Sequence, residues 1–234
     1  MGRAWLLLVW FVGPAADLLN LREAEIGPGT PPGWLVRPVR GQSVPEIEVR
    51  DDGVMRALRI SGQRRAAWFV HELKQQPPSK GSVLHWSWRV LQSPATADLR
   101  TKTLDDSPIR IFVVFGNPAA LFGGSGRIIF YSFGNREPEG YSGPSHVGGQ
   151  RVHIVRVDGA AERSDWREHR VEPAADYQRI WGRTPPPITA IGAMQDTDQT
   201  GVYAVAELRR LVLEAPMPAA RGRNRAADDD VPFP

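Results

Sequence analysis

Residues 105–116, DDSPIRIFVVFG, decide the fold. Two carboxylates and a Ser-Pro turn lead into Ile109–Gly116, a run apolar at nearly every position. A strand that faces water alternates apolar and polar residues, whereas one covered on both faces reads as a continuous apolar run. This run therefore belongs in the middle of a sheet, and the chain around it should supply that sheet with partners.

It does. Strand-like runs recur at Glu46–Arg50, Val54–Ser61, Ala66–Leu73, Val83–Leu91, Arg127–Gly134, Val152–Asp158, Ile188–Gln195 and Val202–Glu214. They are rich in Val, Ile, Phe and Trp, and Asp-Gly, Gly-Gln, Pro-Pro or Gly-Asn separates them. Only EPAADYQRIWG, residues 172–182, reads as a helix. The last run, VYAVAELRRLVLEA, carries residues that would also suit a helix; it is read as a strand. Many short strands, one helix and no βα alternation predict a mainly β fold: an antiparallel β-sandwich of jelly-roll type.

Composition agrees. Of 234 residues 41% are hydrophobic, enough for a core, and 23 Gly with 21 Pro suit a turn-rich chain. The net charge of +3 comes from 29 basic and 26 acidic side chains dispersed along the sequence, without the basic stripe that nucleic acid requires. With no cysteine, disulfides, thiolate catalysis and Cys-ligated zinc are excluded.

The ends differ from the middle. MGRAWLLLVWFVGPAAD combines one Arg, an apolar run over Ala4–Val12 and small residues near Ala15 and Ala16. That is the pattern of a secretory signal, and the run is shorter than the roughly 20 apolar residues a bilayer crossing needs. Residues 1–16 are read as signal-like or anchoring, 17–44 as an extended Pro/Gly-rich lead-in, 45–214 as the sandwich and 215–234 as a low-complexity tail. The expected location is exported: periplasm or periplasmic membrane surface. A retained N-terminal segment would give peripheral membrane contact.

For a site, the informative stretch is QDTDQTG, residues 195–201. Asp196, Asp198, Thr200 and Glu207 follow the spacing of a calcium loop, in which alternate oxygens converge on one ion. TPPPITAIGAM upstream offers no entering helix, so the stretch is a loop fragment of that motif. The other reading is an acidic turn in which Asp196 accepts the loop's own amides. Asp105 and Asp106 repel each other and need solvent or a cation; at one rim of a sandwich they could share an ion with Asp196 and Asp198. Structural Ca2+ is thus the expected cofactor, a clamp for a chain without disulfides and not the place where a partner is met.

Trp86 and Trp88 in LHWSWRV share one face of a strand. Exposed, they would stack on sugar rings; buried, they are core, the commoner fate of tryptophan. Neither a G-x-S-x-G elbow nor a phosphate loop occurs, the five histidines lack metal-ligand spacing, and no carboxylate pair stands out as a glycosidase couple.

Four segments in order, VLHWSWRV, KTLDDSPIRIFVVFG, YQRIWGRTPPPITAIGAMQDTDQTG and AELRRL, resemble the bacterial domain of unknown function 3047 family, over roughly Trp34 to Leu213. The resemblance implies an exported single domain similar to carbohydrate-binding jelly rolls that carry a structural calcium, with no assigned activity. It highlights Trp86, Trp88, Asp105, Asp106, Asp196 and Asp198; Glu207 stands where the family pattern suggests an aspartate. The expected function is a non-catalytic extracytoplasmic binding module for carbohydrate or a protein partner, not nucleic acid. The alternatives are an accessory subunit of a bacterial membrane complex, respiratory or photosynthetic, and a carbohydrate-active hydrolase.

Overall fold

The computed structural model describes residues 12–74, 79–122, 124–159 and 163–216. The apolar leader before Val12 and the tail after Pro216 lie outside the described residues. Among the described residues, fourteen strands form two sheets.

The first sheet contains β1 (Val12–Asp17), β2 (Gly27–Pro28), β4 (Glu46–Asp51), β5 (Arg56–Gly62), β7 (Val83–Gln92), β12 (Arg163–Val171) and β14 (Ala204–Pro216). Its order is β12-β7-β14-β5-β4-β2, and β1 also pairs with β14. The second sheet holds β3 (Trp34–Pro38), β6 (Ala66–Glu72), β8 (Ser107–Phe115), β9 (Arg127–Gly134), β10 (Ser142–Ser145), β11 (Gly149–Gly159) and β13 (Ile188–Asp196), in the order β10-β11-β9-β8-β13-β6-β3. The expected β-sandwich is the observed architecture. It departs from pure antiparallel pairing at β11, which runs parallel to β9 because it inserts between β9 and β10.

Every residue of β8 is buried. Ile109, Ile111, Val113 and Phe115 enter the core between the sheets, where Leu84, Trp86, Trp88, Leu208 and Leu211 meet them. Phe112 and Val114, on the opposite face, join a second cluster with Val70, Leu99, Phe130, Ile154 and Met194. β8 is therefore covered on both faces, which is the physical reason for the uninterrupted run in the sequence.

The helix-like spacing of the last run has a simple origin. Inward residues fall at Ala206 and Leu208, then at Leu211 and Leu213. A register shift between Leu208 and Arg210 adds one residue to the strand. Such a β-bulge turns a period of two into a local step of three, imitating a helix. Helix α1 (Pro173–Trp181) forms where expected, with Pro173 at its start and Gly182 at φ 63° closing it.

The lead-in is not merely extended. Leu18, Leu19, Leu21 and Ala24 are buried in the core, and Trp34 Nε1 donates to the Leu18 carbonyl at 2.7 Å. Ala15 and Ala16 lie within β1, opposite Glu214 and Leu213 of β14.

Candidate binding groove

Strand register builds the site. Arg37 of β3 stands opposite Trp68 of β6, Trp68 opposite Met194 of β13, Met194 opposite Arg110 of β8, and Arg110 opposite Ser132 of β9. Directly paired residues share a face, so these side chains form one row across the outer face of the second sheet. Phe130 and Asp196, two residues along their strands, stand on the same face. Four stretches rise around it: Arg37–Arg40 after β3, Lys102–Asp105 before β8, Ser145–Val147 after β10, and Asp198–Gln199 after β13. Together they enclose a groove of about 510 Å3, within the usual range of roughly 300–1,000 Å3 for ligand sites.

The floor is aromatic. Half-buried Trp68 meets Phe112 edge-on at 5.1 Å and Phe130 at 5.1 Å. The acidic end is organised by Arg110, whose side chain is 3% exposed. Its Nη2 donates to Asp105 Oδ1 at 2.7 Å and to the Asp105 carbonyl at 3.0 Å, and its Nη1 reaches Asp196 Oδ2 at 3.4 Å. The guanidinium also lies 5.3 Å from the centre of the Phe130 ring.

Asp106 does different work. Its Oδ1 accepts the Gln199 amide at 3.1 Å, and its Oδ2 accepts the Thr200 amide at 2.7 Å and the Thr200 hydroxyl at 2.5 Å. The turn is thus held by hydrogen bonds, as an acidic turn should be, except that the acceptor is Asp106 and not Asp196. On the opposite side Thr197 exchanges backbone and hydroxyl bonds with Arg65.

Oxygens of Asp106, Asp196 and Asp198 all come within 4.8 Å of one another. Asp196 Oδ1 is shielded from solvent and has no donor. Burial pushes its carboxyl well above the usual carboxylate range; Arg110 opposes this, while Asp198, Asp106 and Asp105 add to the rise. Burial likewise raises Asp105 against the pull of Arg110.

The two acidic groups named from the sequence therefore meet, but the set is narrower than expected. Glu207 is not part of it. It lies on β14 in the other sheet, opposite Arg59 and Arg89, and ion-pairs with both at 3.6 and 2.6 Å. Asp105 is engaged by Arg110, and the Thr200 hydroxyl donates to Asp106. Nor does the loop only clamp: Asp196, Asp198 and Gln199 line the groove.

Trp86 and Trp88 form no ligand face, since both are 0% exposed. Their rings lie 5.5 Å apart between the sheets, Trp86 stacks on His169, and Trp88 Nε1 donates to Asp158 Oδ2 at 3.0 Å. Sequence reasoning missed Trp68, Phe130, Met194 and Arg110. One signal was available: Arg110 is the single charge inside PIRIFVV, and a charge in a central strand needs a buried partner.

A family model described as "Protein of unknown function (DUF3047)" matches residues 33–212. No curated protein matches the chain. Among solved structures it is similar to the family 11 carbohydrate-binding module of the cellulosomal cellulase Lic26A-Cel5E of Clostridium thermocellum, at 10% identity and TM-score 0.44, covering 88% of this chain and 98% of that one. The family 30 module of the same organism's cellulase Cel9D-Cel44B gives 8% and 0.46, covering 88% and 99%. The xyloglucanase domain of NopAA from Sinorhizobium fredii gives 9% and 0.46, covering 82% and 98%. None of these likenesses is close enough to carry a ligand across to this chain.

Proposed function

We propose that this chain, which belongs to the DUF3047 family of proteins of unknown function, is a non-catalytic binding module that takes a saccharide on the outer face of its second sheet. The observation that carries this is the groove: Trp68 and Phe130 on its floor beside Asp105, Arg110, Asp196 and Asp198. A pyranose presents an apolar face of C–H groups and a rim of hydroxyls. An aromatic ring meets the first, and carboxylates held in fixed orientation accept from the second.

Binding without turnover is supported by the same contacts. Arg110 engages Asp105 and one oxygen of Asp196, three loop donors engage Asp106, and oxygens of Asp196 and Asp198 lie within 4.8 Å of each other, closer than the roughly 5–9 Å that separates a glycosidase couple. Titration of β-linked oligosaccharides into the protein should give saturable binding that weakens at least tenfold in Trp68→Ala, with no reducing ends released. Equal binding by the variant would remove the groove from the account, and released sugar would restore the hydrolase alternative. An extracytoplasmic location fits the signal-like leader; the N-terminal residue of native material checks it.

A second reading rests on Asp196 Oδ1, which lacks a donor. Calcium, which seeks about six to eight oxygens, would find three carboxylates there in Asp106, Asp196 and Asp198. A structural ion should raise the melting temperature, because it binds only the folded state. Identical melting curves in calcium and in chelator would contradict it.

A further inference from the structure

The acidic end of the groove holds carboxyl groups that the chain partners unequally. Of its four carboxylates, Asp106 accepts from three loop donors and Asp105 Oδ1 accepts from Arg110. Asp196 keeps one contact with Arg110, at 3.4 Å, and its Oδ1 has none. Asp198, half-buried beside it, accepts from the side-chain Nε2 of Gln199, at 2.8 Å. Carboxylates this close repel each other, and burial removes the water that would screen them. An opposite charge arriving with a ligand would relieve both terms.

Resting on the saccharide reading, we infer that the ligand carries a protonated amino group among its hydroxyls, as an amino-sugar oligomer does, and that this ammonium seats against Asp196 and Asp198. The neighbouring surface suits such a group. A cation is attracted to the face of an aromatic ring, most strongly to tryptophan. Trp68 lines the groove on the same face as Arg110 and Phe130. The exposed Arg37, Arg40 and Lys102 line the same groove, so attraction for an amine is confined to the Asp196–Asp198 end. That arrangement selects by position as well as by charge.

Three β-1,4-linked tetramers, of glucose, N-acetylglucosamine and glucosamine, share one backbone and differ only at C2, which bears a hydroxyl, an acetamide or an amine. Titrated at pH 6, where an amine is protonated, and at low salt without divalent ions, the glucosamine tetramer should bind at least tenfold tighter than either relative. That advantage should vanish in Asp196→Asn and in Asp198→Asn, the second a half-buried site whose change spares the interior, and should shrink as salt is added. Equal or better binding of a neutral tetramer overturns the inference and leaves the saccharide reading standing. Failure of all three to bind removes both. Binding that appears only with calcium and disappears in chelator assigns the carboxylates to a metal and overturns the inference.

Discussion

The two outer faces of this sandwich carry buried charge in opposite ways. On the first sheet Glu207, 4% exposed, sits between Arg59 and Arg89; Arg209 bonds the Ser87 hydroxyl and Glu168 at 3.1 Å each; and the Trp166 ring meets both Arg89 and Arg209 at about 4.5 Å. Each of these acids has a base. On the second sheet one guanidinium faces a cluster of four carboxylates, and an oxygen is left without a donor beside a groove. A satisfied network stabilises the sheet on which it lies. An unsatisfied one costs stability, and a ligand can recover that cost. The comparison assigns support to the first face and binding to the second.

The largest expected effect separates tryptophans by burial. Trp88→Ala opens a cavity between the sheets and breaks the bond to Asp158, and should cost about 3–5 kcal/mol in denaturant unfolding. Trp166→Ala, on the half-exposed first face, should cost under about 1 kcal/mol, because surface cation–π contacts are weak. Similar losses for both would mean that the faces are not distinguished as described.

The next effect distinguishes acids by their partners. Glu207→Ala leaves two arginines facing each other and should destabilise by roughly 2 kcal/mol, a value below that of fully buried pairs because Arg59 and Arg89 are partly solvated. Asp106→Asn exchanges a charged acceptor of three bonds for an amide and should lose on the order of 1–3 kcal/mol. Asp196→Asn, by contrast, removes repulsion and should leave the melting temperature unchanged or raised. A clear fall with Asp196→Asn would show that its charge is already balanced.

The smallest effect is a difference in sign with pH. Asp158 accepts from Trp88 Nε1 and the Gly159 amide and lies 3.4 Å from Arg167 and 3.3 Å from His169, and against its burial these partners hold it at about 2, below its ordinary 3.8. Its folded value is depressed, so its contribution is present above pH 4 and is lost as pH falls towards 2. Asp196 is displaced upward. Its protonated form is favoured in the folded state, so that contribution is complete below pH 4 and is lost as pH rises through the folded value. Wild-type stability should therefore fall at the acid end through Asp158 and decline above pH 4 through Asp196, and Asp196→Asn should flatten only the second limb. Parallel curves for the two proteins would contradict the assignment.

Much of this was legible in the sequence, for reasons that can be named. The run after Asp106 announced a central strand because both of its faces are covered, and the nine runs read from apolar and β-branched content between turn signals all formed strands. β1, β2, β3, β10 and β12 escaped: β1 is a segment of apolar and small residues, and the other four are short or charged strands at or near sheet edges, where local pattern is faint and pairing with neighbours decides. Asp105 and Asp106 could be joined to Asp196 and Asp198 because a rim collects distant strand ends. Glu207 was misplaced because loop spacing says nothing about the strand that follows: β14 leaves for the other sheet and takes its carboxylate along. Trp86 and Trp88 drew attention through their proximity in sequence, while Trp68 became important only through register, which places it beside Met194 and Arg110.

The central claim is that ligand meets the second sheet and not the first. Titrating a bound oligosaccharide into 15N-labelled protein and following backbone amides tests it directly. Shifts should concentrate at residues 37–40, 68, 102–105, 130 and 194–199, with Arg59, Trp166, Glu207 and Arg209 undisturbed. Shifts centred on those last four residues would contradict the account.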